Sequence, residues 1–256
     1  MGAIHPRDCL QVVNHGVAED VVRGFCEASA EFFAMPVEEK LPYCSDDQSK
    51  PFRVASSTSY DRNQTRYWRD YLKLRCHPVS DELVGHWPAK PESFRSSLAE
   101  FSAQVHELAQ TLLLLIAEGL GLDGGFFAGD LSGGDTQMNV NYYPPCPDPS
   151  VTLGLLPHCD RHLLTVLSQG DMEIVTNGVL ASVEHRALTN SAVARMSVAT
   201  LIMPKMDCLI GPAPEMVSEE NPAKFREFVF REFMAAYDTA AASREDVLEY
   251  FRIEDH

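Results

Sequence analysis

The sequence changes its pattern near residue 135, and this change constrains the fold more than any other feature. Beyond that point, short alternating or β-branched runs replace long helical stretches, and clusters of Pro and Gly separate the runs. A series of this kind is typical of an antiparallel sheet, a sandwich or a barrel. The predicted strands are residues 137–143, 162–167, 173–176, 180–185 and 196–203.

Long helices are predicted on the N-terminal side. Apolar residues at helical spacing predict a helix over 17–35, which Pro36 ends. A second helix is predicted from Pro91 to Gly119, with one apolar stripe along its length. A coiled coil would need more than the roughly three heptads present, so packing on the back of a sheet is favoured. The stripe consists of Phe94, Leu98, Phe101, Val105, Leu108, Leu112 and Leu115.

The remaining segments complete the expected architecture. Residues 10–15 predict a short strand, and residues 44–65 predict a loop or short irregular strands. Residues 225–237 and 244–251 return to helical spacing. No flexible linker divides the chain, so we expect one interlocked unit of mixed α and β structure.

The charge balance excludes some classes of partner. The chain carries 21 Lys and Arg against 37 Asp and Glu, a net charge of −16. Such an acidic surface repels nucleic acids and anionic membranes, so neither is expected as a partner. The seven cysteines are scattered without CxxC spacing, and the first residues contain no apolar run. We therefore expect reduced thiols in a cytoplasmic protein, with a monomer favoured.

Two histidines and one aspartate form a candidate metal site. His158 and Asp160 are two residues apart, and on an extended strand such residues point to the same face. His185 would supply the third ligand from another strand, and His162 is a weaker competitor. Either histidine alone could be an ordinary structural residue. The donor set suits iron(II) and leaves positions open, whereas a structural zinc site would be closed by a fourth ligand.

A second group of polar residues suits a carboxylate ligand. Arg195 and Ser197 are again two apart within a strand, and an arginine fork binds a carboxylate through two parallel hydrogen bonds. Ser197 and the phenol of Tyr143 could donate further hydrogen bonds, and Asn141 lies nearby in sequence. The alternative for Arg195 is a surface salt bridge. A zinc hydrolase is the alternative metalloenzyme, and the pair Arg195 and Ser197 weighs against it.

These motifs together resemble the plant 2-oxoglutarate/iron(II)-dependent dioxygenases. Within that superfamily the chain is most similar to the hyoscyamine hydroxylase and deoxymugineic acid dioxygenase type, and the resemblance covers nearly the whole chain. The segments that carry it are QVVNHGV at 11–17, NYYPPCPDP at 141–149, LLPHCDRHLLTVL at 155–167, TNGVLASVEHRALTN at 176–190 and ARMSVATLIMP at 194–204, with DLSGG at 130–134 and VSEENP at 217–222 typical of the subgroup.

The resemblance implies an α+β fold with a double-stranded β-helix (jelly-roll) core flanked by helices. It implies a mainly helical N-terminal region over 1–134, the jelly-roll domain over 135–230 and a C-terminal helical segment over 231–256. It implies His158, Asp160 and His185 as iron ligands. It also implies that Arg195, Ser197, Tyr143 and Asn141 bind 2-oxoglutarate, and no other side chain is assigned a catalytic role.

The implied reaction hydroxylates or desaturates a small metabolite of plant secondary metabolism. Dioxygen and 2-oxoglutarate are co-substrates, succinate and CO2 are products, and ascorbate is a candidate reductant. The alternative is an inactive relative that acts at most as a binding or scaffold protein.

The chain departs from the family pattern in two places. It begins almost at the QVVNHG segment, so an N-terminal truncation is expected. Between Asp160 and His185 lie 24 residues (185 − 160 − 1). In the family pattern, four other strands separate the strands that bear these two ligands. Four strands with their connections would need roughly 35 residues, so the core is expected to lack two strands. We predict that the three metal ligands still converge, and that turnover is weak or absent because a gapped wall admits water.

Overall fold

The computed structural model describes residues 12–45, 47, 50–56, 67–167, 184–243 and 247–253, with the backbone alone at 238–243. These ranges contain long helices, short antiparallel strands and a few single 3₁₀ turns. The elements are α1 (Glu19–Ala34), α2 (Val37–Lys40), β1 (Phe52–Ser56), β2 (Asp70–His77), α3 (Asp81–His86), α4 (Phe94–Gly119), β3 (Thr136–Tyr143), β4 (Leu155–His158), β5 (Leu164–Val166), β6 (His185–Ala187), β7 (Arg195–Ile202), β8 (Leu209–Ile210), β9 (Phe228–Val229) and α5 (Phe230–Ser243).

The strands form one large and two small antiparallel sheets. The large sheet has the order β1-β2-β3-β7-β5, and the small sheets pair β4 with β6 and β8 with β9. Strands β1 and β2 lie on the N-terminal side of residue 134 and still belong to the same sheet as β3 and β7. The mixed helix and sheet architecture confirms the predicted fold class. No helix in the described ranges is long and apolar enough to cross a membrane.

The large sheet separates an apolar face from a polar one, because successive side chains of a strand point to opposite sides. The even-numbered residues of β1, β2 and β3 pack against helices. They include Val54, Leu72, Leu74, Met138 and Val140, each at most 7 % exposed. The odd-numbered residues face a cavity between this sheet and the β4–β6 pair.

Helices α1 and α4 cover the apolar face and form the first core. Phe25 of α1 stacks on Phe101 of α4 with ring centroids 4.8 Å apart, and both rings are buried. The favoured position of α4 on the back of a sheet is therefore confirmed.

The predicted stripe of α4 faces the cores over most of its length, since Leu108 and Leu112 are partly buried against them, and it is wrong at Leu115. After Val105 the buried positions are Ala109, Leu113 and Ala117, whereas Leu115 is 53 % exposed. The reason is that α4 leaves the first core and enters a second one, made with β5, β7 and the C-terminal elements. Each half of the helix turns a different face inward.

The C-terminal elements complete this second core. The predicted helix over 225–237 begins only at Phe230, because Phe228 and Val229 pair with β8 as strand β9. Phe228, Phe233 and Phe251 pack together with centroid distances between 4.2 and 5.8 Å. Aromatic packing therefore fixes the end of the chain against α5.

Residues 12–15 are not a strand, because Asn14 and Gly16 have φ of 55° and 83° and turn the chain before α1. Strand β1 lies inside the segment 44–65, as the prediction of short strands allowed. The predicted strand at 173–176, most of that at 180–185, and the proposed loss of two strands fall on residues 168–183, outside the described ranges.

Candidate metal centre and co-substrate pocket

The three predicted metal ligands come together at one end of the β4–β6 sheet. Strand β4 ends at His158, and Asp160 follows two residues later, beyond the strand. Strand β6 begins at His185, which is the direct cross-strand partner of His158. His158 and Asp160 were expected to point to the same side of one strand. Their side chains do lie close together, but only His158 belongs to the strand. Pro157, which has no N–H to donate, lies where the ladder becomes irregular.

Their ligand atoms lie close enough to bind one ion. The distance from Asp160 Oδ1 is 3.6 Å to His158 Nε2 and 3.9 Å to His185 Nε2, and the three atoms all lie within 4.8 Å of one another. Two donors bound to one ion by bonds of about 2.1 Å are roughly 3 to 4 Å apart. The prediction that the ligands converge despite the short connecting segment is confirmed.

The ring of His158 is held in the tautomer that a metal ligand needs. Its Nδ1 lies 2.9 Å from the carbonyl oxygen of Leu156, which can only accept, so Nδ1 carries the proton and Nε2 presents its lone pair. Burial lowers the pKa of His158, and the nearby His185 lowers it further, whereas the bond to Leu156 and the charge of Asp160 oppose this shift. The imidazole is therefore neutral at pH 7 and ready to bind a cation.

The donor set fits iron(II) on chemical grounds. It consists of two imidazole nitrogens and one carboxylate oxygen, and no other group of three or more His, Cys, Asp or Glu in the described part of the chain could hold a metal ion. Three protein ligands leave positions free for a chelating co-substrate and for dioxygen. The neighbours do not join the set: Cys159 is exposed, and His162 is buried with both ring nitrogens lacking a hydrogen-bond partner.

The polar face of the large sheet forms the opposite wall of a cavity of about 670 Å³. Strand pairing arranges its side chains in rows. Asn141 lies opposite Ser197, and Tyr143 lies opposite Arg195. All four predicted co-substrate residues therefore line the same cavity as the three predicted metal ligands.

Contacts between neighbouring side chains of β3 and β7 orient the residues that would bind a carboxylate. The guanidinium of Arg195 lies over the ring of Tyr143, 4.3 Å from its centroid. Asn141 Nδ2 lies 3.4 Å from Ser197 Oγ, and Asn141 Oδ1 accepts a hydrogen bond of 3.0 Å from Arg69. No carboxylate among the described residues pairs with Arg195, so the alternative of a surface salt bridge finds no support there.

Strands β1 and β2 also contribute to this cavity, which was not predicted from the sequence. Arg53, Arg69, Tyr71 and Lys73 all line it, and Tyr71 lies under the guanidinium groups of both Arg53 and Arg69, at 5.5 and 4.6 Å. The signal was present in the alternation of residues 69–76, where Leu72, Leu74 and Cys76 alternate with polar residues. It predicts a half-buried strand with one polar face.

The chain is similar in sequence to known dioxygenases over most of its length. A profile of the non-haem dioxygenase N-terminal region matches residues 2–92, and a profile of the 2OG-Fe(II) oxygenase superfamily matches residues 134–172. The chain is 42 % identical to 2'-deoxymugineic-acid 2'-dioxygenase of Hordeum vulgare over 90 % of this chain and 76 % of that protein. It is 33 % identical to hyoscyamine 6-dioxygenase of Hyoscyamus niger over 89 % and 77 %.

Solved structures show the same fold. The structure of JOX2 in complex with 2OG, Fe and JA superposes with a TM-score of 0.87 at 26 % identity, covering 98 % of this chain and 84 % of that one. The dioxygenase for auxin oxidation in rice superposes with a TM-score of 0.77 at 18 % identity, over 97 % and 91 %, which supports the fold alone. The jelly-roll architecture is thereby confirmed. The chain belongs to the 2OG-Fe(II) oxygenase superfamily and is a 2-oxoglutarate-dependent dioxygenase.

Proposed function

We propose that His158, Asp160 and His185 hold iron(II), and that Arg195, Ser197, Tyr143 and Asn141 hold 2-oxoglutarate, while a small plant metabolite is hydroxylated or desaturated beside them. The observation that carries this proposal is that both groups line one cavity, on opposite walls. A metal and a chelating dicarboxylate could therefore be bound side by side. The family to which the chain belongs uses both.

Each protein group has a distinct task in this proposal. Iron(II), when bound, supplies the redox chemistry that couples decarboxylation of 2-oxoglutarate to oxidation of a substrate C–H bond by dioxygen. Asp160 contributes the one negative charge of the donor set, and the two histidines bind as neutral imidazoles. Arg195 binds the distal carboxylate of 2-oxoglutarate, and its stacking on Tyr143 limits the directions in which its fork can point.

The charges of this assembly are balanced. Iron(II) at +2, Asp160 at −1, 2-oxoglutarate at −2 and Arg195 at +1 sum to zero, which is the state that a partly buried site tolerates best. Asp160 is 11 % exposed at its side chain, and His158 and His185 are 22 % and 30 % exposed. The ligands are thus shielded but still accessible from the cavity.

The substrate is proposed from the relatives. The names of these relatives refer to small molecules, 2'-deoxymugineic acid and hyoscyamine, so a small plant metabolite is the proposed substrate class. The six described cysteines form no disulfide with one another, which fits the proposed reducing, cytoplasmic setting. A monomer is proposed as the working unit.

Anaerobic iron(II) titration with and without 2-oxoglutarate tests the proposal. The wild type should bind iron(II), and 2-oxoglutarate should bind to the loaded protein. Asp160→Asn should weaken iron binding by about a hundredfold. Arg195→Gln should keep iron binding but weaken 2-oxoglutarate binding about thirtyfold or more, roughly 2 kcal/mol.

The matched control is Arg231→Gln, which removes an exposed arginine that pairs with Asp207 and is not among the residues lining the cavity. It should leave both affinities unchanged. Iron binding by folded wild type without any 2-oxoglutarate binding would favour a scaffold protein. Absence of iron(II) affinity in folded wild type would refute the proposed centre, and selective zinc binding would indicate a hydrolase.

A further inference from the structure

The cavity has a charge opposite to that of the protein. The chain as a whole carries a net charge of −16. Six cationic side chains nevertheless line the cavity, and Asp160 is the one carboxylate among the described residues that line it. The cations are Arg53, Arg69, Lys73, Arg161, Arg186 and Arg195. Iron(II), Asp160, 2-oxoglutarate and Arg195 sum to zero, so the other cavity-lining cations are not required to balance the charge of the proposed metal and co-substrate.

Arg53 is the most unusual of these cations. It is 7 % exposed, and its buried Nε has no hydrogen-bond partner. Its Nη1 donates one hydrogen bond of 3.3 Å to the carbonyl oxygen of Ser45, and its guanidinium lies 5.5 Å from the centroid of Tyr71. No described carboxylate lies within salt-bridge distance of it. A guanidinium kept out of water in this way is costly unless an anion reaches it.

Strand pairing places a second cation beside Arg53. Arg53 on β1 is the direct partner of Lys73 on β2, and both side chains line the cavity. Like charges that face each other across two strands destabilise a sheet, and an anion between them removes this repulsion. Asn139, the partner of Lys73 on β3, adds an amide to the same row.

The row formed by Arg53, Lys73 and Asn139 is separate from the residues that are proposed to bind 2-oxoglutarate. Arg53 lies on β1 and Arg195 on β7, three strand spacings apart in the order β1-β2-β3-β7. Neighbouring strands are about 4.8 Å apart, so β1, which carries Arg53, and β7, which carries Arg195, are roughly 14 Å apart across the sheet. One dicarboxylate of the size of 2-oxoglutarate cannot occupy both positions, whereas a cavity of about 670 Å³ has room for a second small molecule.

We propose that Arg53 and Lys73 form a second carboxylate-binding subsite, and that the molecule oxidised by this enzyme is a polar acid whose remote carboxylate binds there. The subsite would hold the far end of the substrate and leave its reacting carbon toward the three-ligand centre. The assignment of this subsite to the oxidised substrate rests on the proposed function. The affinity of the subsite for carboxylates does not depend on that function. Arg53 is then a specificity-determining residue.

Calorimetric titration of metal-free protein, stripped of metal with EDTA and then desalted to remove the EDTA, tests the subsite by itself. The probes are tricarballylate, a flexible tricarboxylate, and its uncharged triamide. The wild type should bind tricarballylate, with affinity that falls as NaCl is raised, and should not bind the triamide. Arg53→Gln should weaken tricarballylate binding at least tenfold, and Arg53→Lys should retain more of it. Lys73→Gln should weaken it to a smaller extent.

Two controls separate the subsite from its surroundings. Arg75→Gln changes an arginine of the same strand β2 that is 43 % exposed at its side chain and pairs with Asp135 outside the cavity lining, and it should bind as the wild type does. Arg195→Gln should still bind tricarballylate, because the two carboxylate positions are distinct. The thermal unfolding midpoint of each variant checks folding, and Arg53→Lys keeps the test decisive if Arg53→Gln unfolds.

Separate outcomes bear on the subsite and on the proposed function. Tricarballylate binding that Arg53 and Lys73 variants leave unchanged, or equal binding of the triamide, overturns the subsite. If Arg53→Gln loses tricarballylate but binds iron(II) and 2-oxoglutarate normally, the subsite is supported together with the proposed function. If the wild type binds tricarballylate through Arg53 but has no iron(II) affinity, the subsite stands and the proposed function fails.

Discussion

Asn141 and Ser197 face each other across the β3–β7 pair, with Asn141 Nδ2 3.4 Å from Ser197 Oγ. The same asparagine accepts a hydrogen bond from buried Arg69 through its Oδ1. Its amide is therefore oriented from one side by Arg69 and presents its donor to Ser197 on the other. This makes Asn141 a positioning residue for the serine that is proposed to bind 2-oxoglutarate.

Replacement of Asn141 by Ala should weaken 2-oxoglutarate binding about tenfold, roughly 1.4 kcal/mol, because Ser197 loses its neighbour. The measurement is 2-oxoglutarate titration of the iron-loaded protein under anaerobic conditions. Iron(II) affinity should remain within about threefold of the wild type.

The control for this change is Gln137→Ala on the same strand, which lines the cavity four residues away and bonds to Asn139 instead. It should have little effect on 2-oxoglutarate. Equal loss in both variants would mean that the polar face acts as a whole, and that Asn141 has no special position in it.

Gly154 makes room for the ring of Tyr143. A Cβ at this position would lie 2.6 and 2.7 Å from two ring carbons of Tyr143. Gly154→Ala should therefore displace the ring on which Arg195 rests, cost about 1–3 kcal/mol of stability and weaken 2-oxoglutarate binding. Urea unfolding and 2-oxoglutarate titration measure the two effects.

Gly119→Ala is the matched control, because no atom lies within 4 Å of a Cβ at the end of α4. It should leave 2-oxoglutarate binding unchanged and preserve or raise stability. A Gly154→Ala protein with wild-type stability and affinity would show that Tyr143 and Arg195 tolerate movement.

His106 should make the fold sensitive to mild acid. Its ring stacks on that of His77 with centroids 3.8 Å apart. Burial, aided by the charge of His77, lowers the pKa of His106 to about 4. In the unfolded chain this histidine has a pKa near 6.5. Below that pH the unfolded chain therefore binds a proton that the folded state does not bind. This contribution to stability is complete above about pH 6.5 and is lost as pH falls toward 4.

Urea unfolding at pH 7.5 and pH 5.0 measures this contribution. The free energy of unfolding of wild type should fall between these values, and His106→Gln should reduce the fall by about 1–2 kcal/mol, since solvent screens a half-buried ring. Substitution of the exposed His86 by Gln should not change it. An identical pH dependence of wild type and His106→Gln would contradict the prediction.

Turnover should be weak and poorly coupled. The side chains of His158 and His185 are 22 % and 30 % exposed, and the residue Arg195 is exposed, so water reaches the site from which an oxygenase needs to exclude it. Succinate formed with and without a candidate acid substrate should be quantified against oxidised product. We expect succinate in clear excess over product. Stoichiometric, fast oxidation of a substrate would show that the site closes when it is loaded.

Much of the fold could be predicted from local patterns in the sequence. The 3.6-residue period of apolar positions predicted α1 and α4, and alternation over 137–143 and 196–203 predicted β3 and β7 with small shifts at their ends. The spacing of Arg195 and Ser197 placed both on the cavity face of β7. Such features follow from the geometry of one element, so neighbours in the chain suffice to reveal them.

Features that depend on pairing between distant segments were not predictable in this way. The buried stripe of α4 changes its course after Val105 because two different cores receive its two halves. The polar face of β2 became part of the site only when β2 paired with β3, which is about 65 residues further along the chain. Neither fact is encoded within a single element.

The sequence by itself determined which atoms were available for chemistry: two imidazoles, one carboxylate, and an arginine two residues before a serine. The tertiary structure decided that His158 and His185 are cross-strand partners and that Asp160 meets them from beyond the end of β4. It also decided that buried Arg53 faces the same cavity. The reason is that side-chain direction follows from local backbone geometry, whereas distance in space follows from strand pairing and packing across the whole chain.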